Sequence, residues 1–296
     1  MTRLQADGLL VLVALIWGTA FVAQHHGMAD VGPMLFTGVR FLIGAAVVAP
    51  LALREWRGLA RQGRQPGRGD LGHIAALGVL MLAGAAMQQV GIVSTSVTNA
   101  GFLTALYVPL VPVLGWLLLA QRPHWSAWPA ALGCVGGAYL LAGAHLDAVN
   151  VGDAWVAASA LPWAVHVLLV GRWAERMAAP FVVACGQFVV CGLGALAWAL
   201  VAEPVHLASL AAAALPIAYT GVLSVGVAFT AQVVAQRRAP AADAAIILSV
   251  ETVFAALFGA WLLGERLDGR GLAGCGLILL CIVAVQLVPL LRRTAR

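Results

Sequence analysis

Gln88–Arg122 reads QQVGIVSTSVTNAGFLTALYVPLVPVLGWLLLAQR, and Gln232–Arg266 reads QVVAQRRAPAADAAIILSVETVFAALFGAWLLGER. Both stretches run Gln-x10-(Asn or Asp)-x15-Gly-x5-(Gln or Glu)-Arg. Gln88, Asn99, Gly115 and Gln121-Arg122 are answered by Gln232, Asp243, Gly259 and Glu265-Arg266. The register extends outward: Asp7-x9-Trp17 pairs with Asp153-x9-Trp163, and Pro33-x6-Arg40-Phe41 with Pro180-x6-Gln187-Phe188. The copies lie 146 to 147 residues apart early in the unit and 144 later. Each unit holds five apolar spans. A second copy that follows an odd number of crossings enters the bilayer from the opposite face, so the copies are related by a pseudo-two-fold axis in the membrane plane. The expected fold is an all-α integral membrane protein, ten transmembrane helices as an inverted 5+5 repeat around a central cavity, with repeats at 1–146 and 147–296.

Composition agrees with a membrane chain. Of 296 residues, 62% are hydrophobic and 10% charged, and the mean hydropathy is +0.95; soluble domains carry about 25% charged residues. A helix needs roughly 20 apolar residues to cross the hydrocarbon. Spans are expected near 7–26, 31–53, 70–93, 97–119, 124–143, 153–172, 180–202, 216–236, 240–263 and 268–290, with a short interfacial segment at 206–214. The first span aligns with an internal one and is not expected to be a cleaved signal peptide. All 17 basic residues are Arg. With ten spans, fourteen of them (Arg3, the run from Arg54 to Arg68, Arg122, Arg172, Arg176, Arg237, Arg238 and the C-terminal three) share one side, against Arg266 and Arg270 on the other. The positive-inside rule then puts both termini in the cytoplasm. The net charge of +5 thus reads as orientation beside anionic headgroups, not as a nucleic-acid surface. The five cysteines fall inside apolar spans without metal spacing, and no cofactor or metal is expected.

Ionisable groups inside a span are expensive and mark functional candidates. Arg40 and Glu251 are the two charges expected near the midplane, roughly 12 and 15 Å deep at 1.5 Å per residue. They are either a structural ion pair or groups that meet a ligand. Around them lie Gln24, Gln88, Gln89, Asn99, Tyr107, His166, Gln187, Gln232 and Asp243, read as interhelical glue singly and as the lining of a watery cavity together. Trp17 and Trp163 sit ten residues inside their spans, although tryptophan favours interfaces. Such rings can stack on an apolar or flat ligand or meet a cation. Pro162 can kink its helix, and Pro109 and Pro112 loosen another. Gly133-x3-Gly137 permits close helix approach and leaves room for a homo-oligomer.

These features resemble the drug/metabolite transporter superfamily, in its ten-helix type built from two EamA domains. The resemblance covers the whole chain. It rests on Trp17-Gly18, Pro33-x6-Arg40-Phe41 and Gly264-Glu265-Arg266; the first copy departs from the last pattern with Ala120-Gln121-Arg122. It implies a multi-pass carrier of the bacterial inner membrane that exports metabolites or drugs. The intramembrane tryptophans look most similar to those of exporters of aromatic and other amino acids. The alternative is an exporter of flat or cationic drugs. A cavity without Lys speaks against sugar-phosphate cargo. An enzyme would need a signature such as H-E-x-x-H or G-x-S-x-G, and neither occurs.

Overall fold

The computed structural model describes residues 1–141, 150–264 and 268–294. Glu265 and Arg266 of the closing motif, and Arg296, lie outside the described residues. Every described element is helical. In order they are α1 (Arg3–Gly27), α2 (Pro33–Arg61), α3 (Arg68–Ile92), α4 (Val97–Thr104), α5 (Tyr107–Leu119), α6 (Ala127–Leu141), α7 (Val151–Met177), α8 (Pro180–Ala202), α9 (Leu207–Ala212) and α10 (Ala214–Tyr219). A π-helical segment (Thr220–Phe229) then leads into α11 (Thr230–Gln236), α12 (Ala241–Leu248), α13 (Glu251–Leu263) and α14 (Gly269–Thr294). Eight stretches are long and apolar enough to cross a bilayer, with α4–α5, α12–α13 and Ala214–Gln236 each counting as one. The short helix α6 and the apolar stretch Gly269–Ala284 of α14 complete the ten.

Local chemistry sets the helix starts. Thr2 with Gln5, and Asn150 with Asp153, form capping boxes that satisfy otherwise unpaired amides. Pro33 and Pro180 open α2 and α8, where the missing N–H is harmless. Helix α2 continues to Arg61, so Arg54, Arg57 and Arg61 ride on a helical extension and not in the expected loop. The segment expected at 206–214 is the short α9.

Two spans are interrupted, and at repeat-equivalent places. The fourth breaks between α4 and α5 at Ala105-Leu106, and the ninth between α12 and α13 at Ser249-Val250, 144 residues apart. Tight bonds such as Val108 N to Ala105 O (3.0 Å) and Thr252 N to Ser249 O (3.1 Å) bridge the breaks. Tightened turns inside a helix often mark hinges. Tyr107 and Glu251, again repeat mates, are the first residues after them.

Helix contacts obey the two-fold. α2 packs on α8 and α6 on α14, each joining repeat-equivalent spans. α3 with α7 is matched by α1 with the π segment and α11, and α5 with α7 by α1 with α13. Glycines permit the closest crossings. A Cβ at Gly137 would meet the Gly274 carbonyl at 2.8 Å, and one at Gly133 would meet Cys281 Sγ at 2.4 Å. The Gly133-x3-Gly137 face is therefore spent on α14 within the chain and is not left free for a second copy.

Two glutamates tie the repeats together. Glu203, at the end of α8, accepts from Met34 N and Leu35 N at the start of α2 (both 2.8 Å). Glu55, near the end of α2, accepts from Val182 N at the start of α8 (2.8 Å). Each carboxylate meets the positive end of the other repeat's helix. The outer surface is apolar: Trp116, Trp155, Trp198 and Trp261 near the span ends are more than two-fifths exposed, as aromatic belts at two interfaces would be.

Candidate functional site

Where the repeats meet, a small cavity of about 50 Å³ is bounded by Trp17, Gln24, Arg40, Gln88, Thr104, Tyr107, Trp163, Val167, Ser224, Phe229, Gln232 and Glu251, among others. Eight of the thirteen residues expected at the site from sequence lie on this wall: Trp17, Gln24, Arg40, Gln88, Tyr107, Trp163, Gln232 and Glu251. The other five lie elsewhere, Gln89 fully buried with its side-chain amide unpartnered. His166 follows Trp163 by three positions and falls on the α8 side, where its Nε2 meets Gln187 Oε1 at 2.9 Å; the cavity position is Val167, at four. Gln187 is the repeat mate of Arg40 but is shorter, and it stops at His166. Asn99 and Asp243 sit in the first turns of α4 and α12, eight residues before Tyr107 and Glu251. Asp243 instead accepts from Arg3 Nη2 (2.8 Å), whose Nε reaches Asp7 (2.8 Å), tying α1 to α12. At the opposite face Asp153 accepts from Thr95, and Asn150 Nδ2 donates to Ser94 O (3.0 Å).

Arg40 and Glu251 are not an ion pair; among the described residues the ion pairs are Arg3–Asp7 and Arg3–Asp243. Arg40 is 3% exposed. Its Nη1 donates to Gln24 Oε1 (2.8 Å), and its guanidinium carbon lies 5.6 and 5.2 Å from the ring centroids of Phe36 and Phe41. Arg40 Nε, Tyr107 Oη, Trp163 Nε1 and Gln232 Oε1 are buried without a protein partner. Buried polar groups are normally satisfied, and these four unpartnered atoms belong to residues that wall one void. The cavity thus presents a cation, a carboxylate, two further donors and an acceptor.

The aromatic wall holds a residue that sequence reading missed. Phe229 lies between the tryptophans, 4.5 Å from Trp17 and 5.7 Å from Trp163 by ring centroids, and stacks on the latter at 18°. No signal marked it, since its repeat mate is Ala85 and an apolar side chain does not stand out in a lipid-spanning segment. It ends the π segment, whose Ser224 carbonyl accepts from Trp17 Nε1 (3.3 Å). π turns inside α-helices are frequent at functional sites. Gly18 lets α1 seat against α13: a Cβ there would meet Phe254 Cβ at 2.4 Å and the Glu251 carbonyl at 2.9 Å, which holds Trp17 beside Glu251.

The two ends of the bundle differ. On the arginine-rich face a vestibule of about 480 Å³ opens between α5, α7 and the α11–α12 turn, and shares Val167 with the central cavity. Its residues Val167, Leu168, Gln236 and Ala241 correspond through the repeat to Phe21, Val22, Ile92 and Val97. Those four, with Ala100 and Ala255, pack into a closed apolar cluster. One set of symmetry-related positions is open and the other is filled.

An all-helical bundle built from paired repeats, with ionisable groups and unsatisfied donors gathered at its centre, is the architecture of a multi-pass transporter of small molecules. The chain belongs to the EamA-like transporter family, whose description matches residues 4–143 and 150–287. An uncharacterized transporter from Archaeoglobus fulgidus is 30% identical over 286 residues, covering 96% of this chain and 87% of that one. A crystal structure with 20% sequence identity superposes with a TM-score of 0.77, covering 97% of this chain and 98% of the other; at that identity it supports the fold alone.

Proposed function

We propose that the protein exports small neutral or zwitterionic metabolites, amino acids foremost, across the bacterial inner membrane by alternating access, with both termini cytoplasmic and residues 1–146 and 147–296 as the two repeats. The observation that carries this reading is the unpaired Arg40 in the same cavity as Glu251. A zwitterion brings one group of each sign, so its carboxylate meets Arg40 while its ammonium meets Glu251 and Gln232 Oε1. Trp17, Phe229 and Trp163 receive an apolar side chain. The open vestibule and its filled symmetry counterpart support alternating access, because exchanging the two packings through the pseudo-two-fold moves the opening to the other face. The vestibule's place beside Arg122 and Arg172, on the side where arginine is expected to be in excess, supports a cytoplasmic opening. Direction follows the family resemblance.

Purified protein in liposomes tests this. Saturable amino-acid flux with counterflow is expected, and Arg40→Ala abolishes it. A second reading, export of flat cationic drugs, draws on Glu251 and the aromatic column but has no use for Arg40. Flux of a lipophilic cation that survives Arg40→Ala, with no amino acid competing, would favour that reading and defeat the first.

A further inference from the structure

The vestibule on the arginine-rich face is large compared with the central cavity. Its volume of about 480 Å³ falls within the roughly 300–1,000 Å³ of small-molecule sites, whereas the central 50 Å³ falls far below that range. Arg122, Arg172 and Glu175 stand at its rim, giving one net positive charge, and Ala241 and Ala242 present the amino end of α12. That end has no side-chain cap, so its first amides and partial positive charge are available to an anion. The nearby Asp243 carboxylate is engaged by Arg3.

An independent observation points to a ligand here. Gln236 lines the vestibule and is 5% exposed. Its Nε2 donates to Val167 O (2.9 Å), but its Oε1 is buried without a partner. α7 and α11 pack closely here, since a Cβ at Gly171 would meet the Gln236 carbonyl at 2.6 Å, and we take this contact as the partition towards the centre. Val167, which holds that partition, borders both spaces.

We propose that this vestibule is a second, weaker substrate site, occupied before the partition opens, that takes an amino acid by both charged groups. Arg122, Arg172 and the amino end of α12 hold the carboxylate. Glu175 holds the ammonium, and Gln236 Oε1, buried and unpartnered beside the vestibule, turns outward to join it. The site selects zwitterions over simple cations at the entrance, ahead of any contact with Arg40. This inference rests on the amino-acid reading above and adds a place of first binding to it.

The test uses the full chain with Ala241→Cys in inside-out membrane vesicles, followed by the rate of labelling with a membrane-impermeant maleimide. L-leucine at millimolar concentration is expected to at least halve that rate. L-leucinamide, which lacks the carboxylate, should leave it unchanged. Protection should persist when Arg40→Ala is added and vanish with Arg122→Ala plus Arg172→Ala. Those arginines are exposed, so their loss leaves folding intact, and an unchanged melting temperature checks this. Protection that disappears with Arg40→Ala, or that leucinamide matches, would report the central site or mere screening and overturn the proposal. Leucine that is transported but gives no protection overturns it while leaving the amino-acid reading in place. Leucine that neither protects nor is carried removes both.

Discussion

Replacing Arg40 by Met separates a ligand-binding cation from a structural one. Among the described residues Arg40 has one side-chain hydrogen-bond acceptor, Gln24, and no carboxylate partner, and it is 3% exposed. Burying an ion costs several kcal/mol even after relaxation. If the charge is held for a substrate, Met of similar length relieves that cost, and the fold melts at the same or a higher temperature. If the guanidinium were a structural linchpin, its removal would destabilise by about 3–5 kcal/mol. Transport should move the other way. The unpartnered Nε and a second guanidinium nitrogen can give a carboxylate two charge-assisted bonds, each worth about 1.5–3 kcal/mol. Their loss is about 3–6 kcal/mol, so affinity should fall by about a hundredfold to more than ten-thousandfold. Thermal unfolding in detergent and leucine flux in proteoliposomes read the two halves. A variant that melts far lower, or one that transports with unchanged KM, would refute the reasoning.

Further substitutions probe the rest of the construction. Gly18→Val puts a side chain where Cβ alone meets Phe254 at 2.4 Å, so α1 and α13 must part; overpacking of this kind costs about 1–3 kcal/mol, seen as a lower melting temperature, whereas Gly8→Val, with nothing within 4 Å, should leave it unchanged. Glu203→Ala strips the Met34 and Leu35 amides of their acceptor, and Glu55→Ala strips those of Val182 and Phe181. At about 0.5–2 kcal/mol for a lost helix cap, each should lower stability by a similar amount in denaturation assays, and unchanged stability would show that the caps do not carry the repeat contact. Phe229→Ala opens the space between Trp17 and Trp163 and should shift competition in flux assays from small aliphatic towards aromatic amino acids; an unchanged order would place the substrate side chain elsewhere. Truncating a buried Phe costs about 3–5 kcal/mol, so that protein is compared at low temperature after its fold is checked.

Much of this protein can be read from the chain alone. Apolar run lengths and the Gln88/Gln232, Asp7/Asp153 and Pro33/Pro180 registers state the all-helical, ten-span, inverted fold, because partition into lipid depends on composition over a single helix. The same logic finds the cavity's polar residues, since Arg40, Gln88, Gln232 and Glu251 stand out against lipid wherever they point. Rotation about each helix axis is another matter. His166 and Val167 differ by one position, and only the packing of α7 on α8 turns the histidine away and the valine inward. Phe229 carries no polarity to betray it, and its place between two tryptophans depends on the π segment and on α1, more than 200 residues earlier in the chain. The break before Glu251 has no proline to announce it. Glu203 and Glu55 find their backbone partners only where the two repeats come together across the pseudo-two-fold. Hydropathy and spacing are local and survive in one dimension. Which side chains meet, and which end of the bundle stands open, is settled by contacts between helices distant in sequence, whose energies no single segment contains.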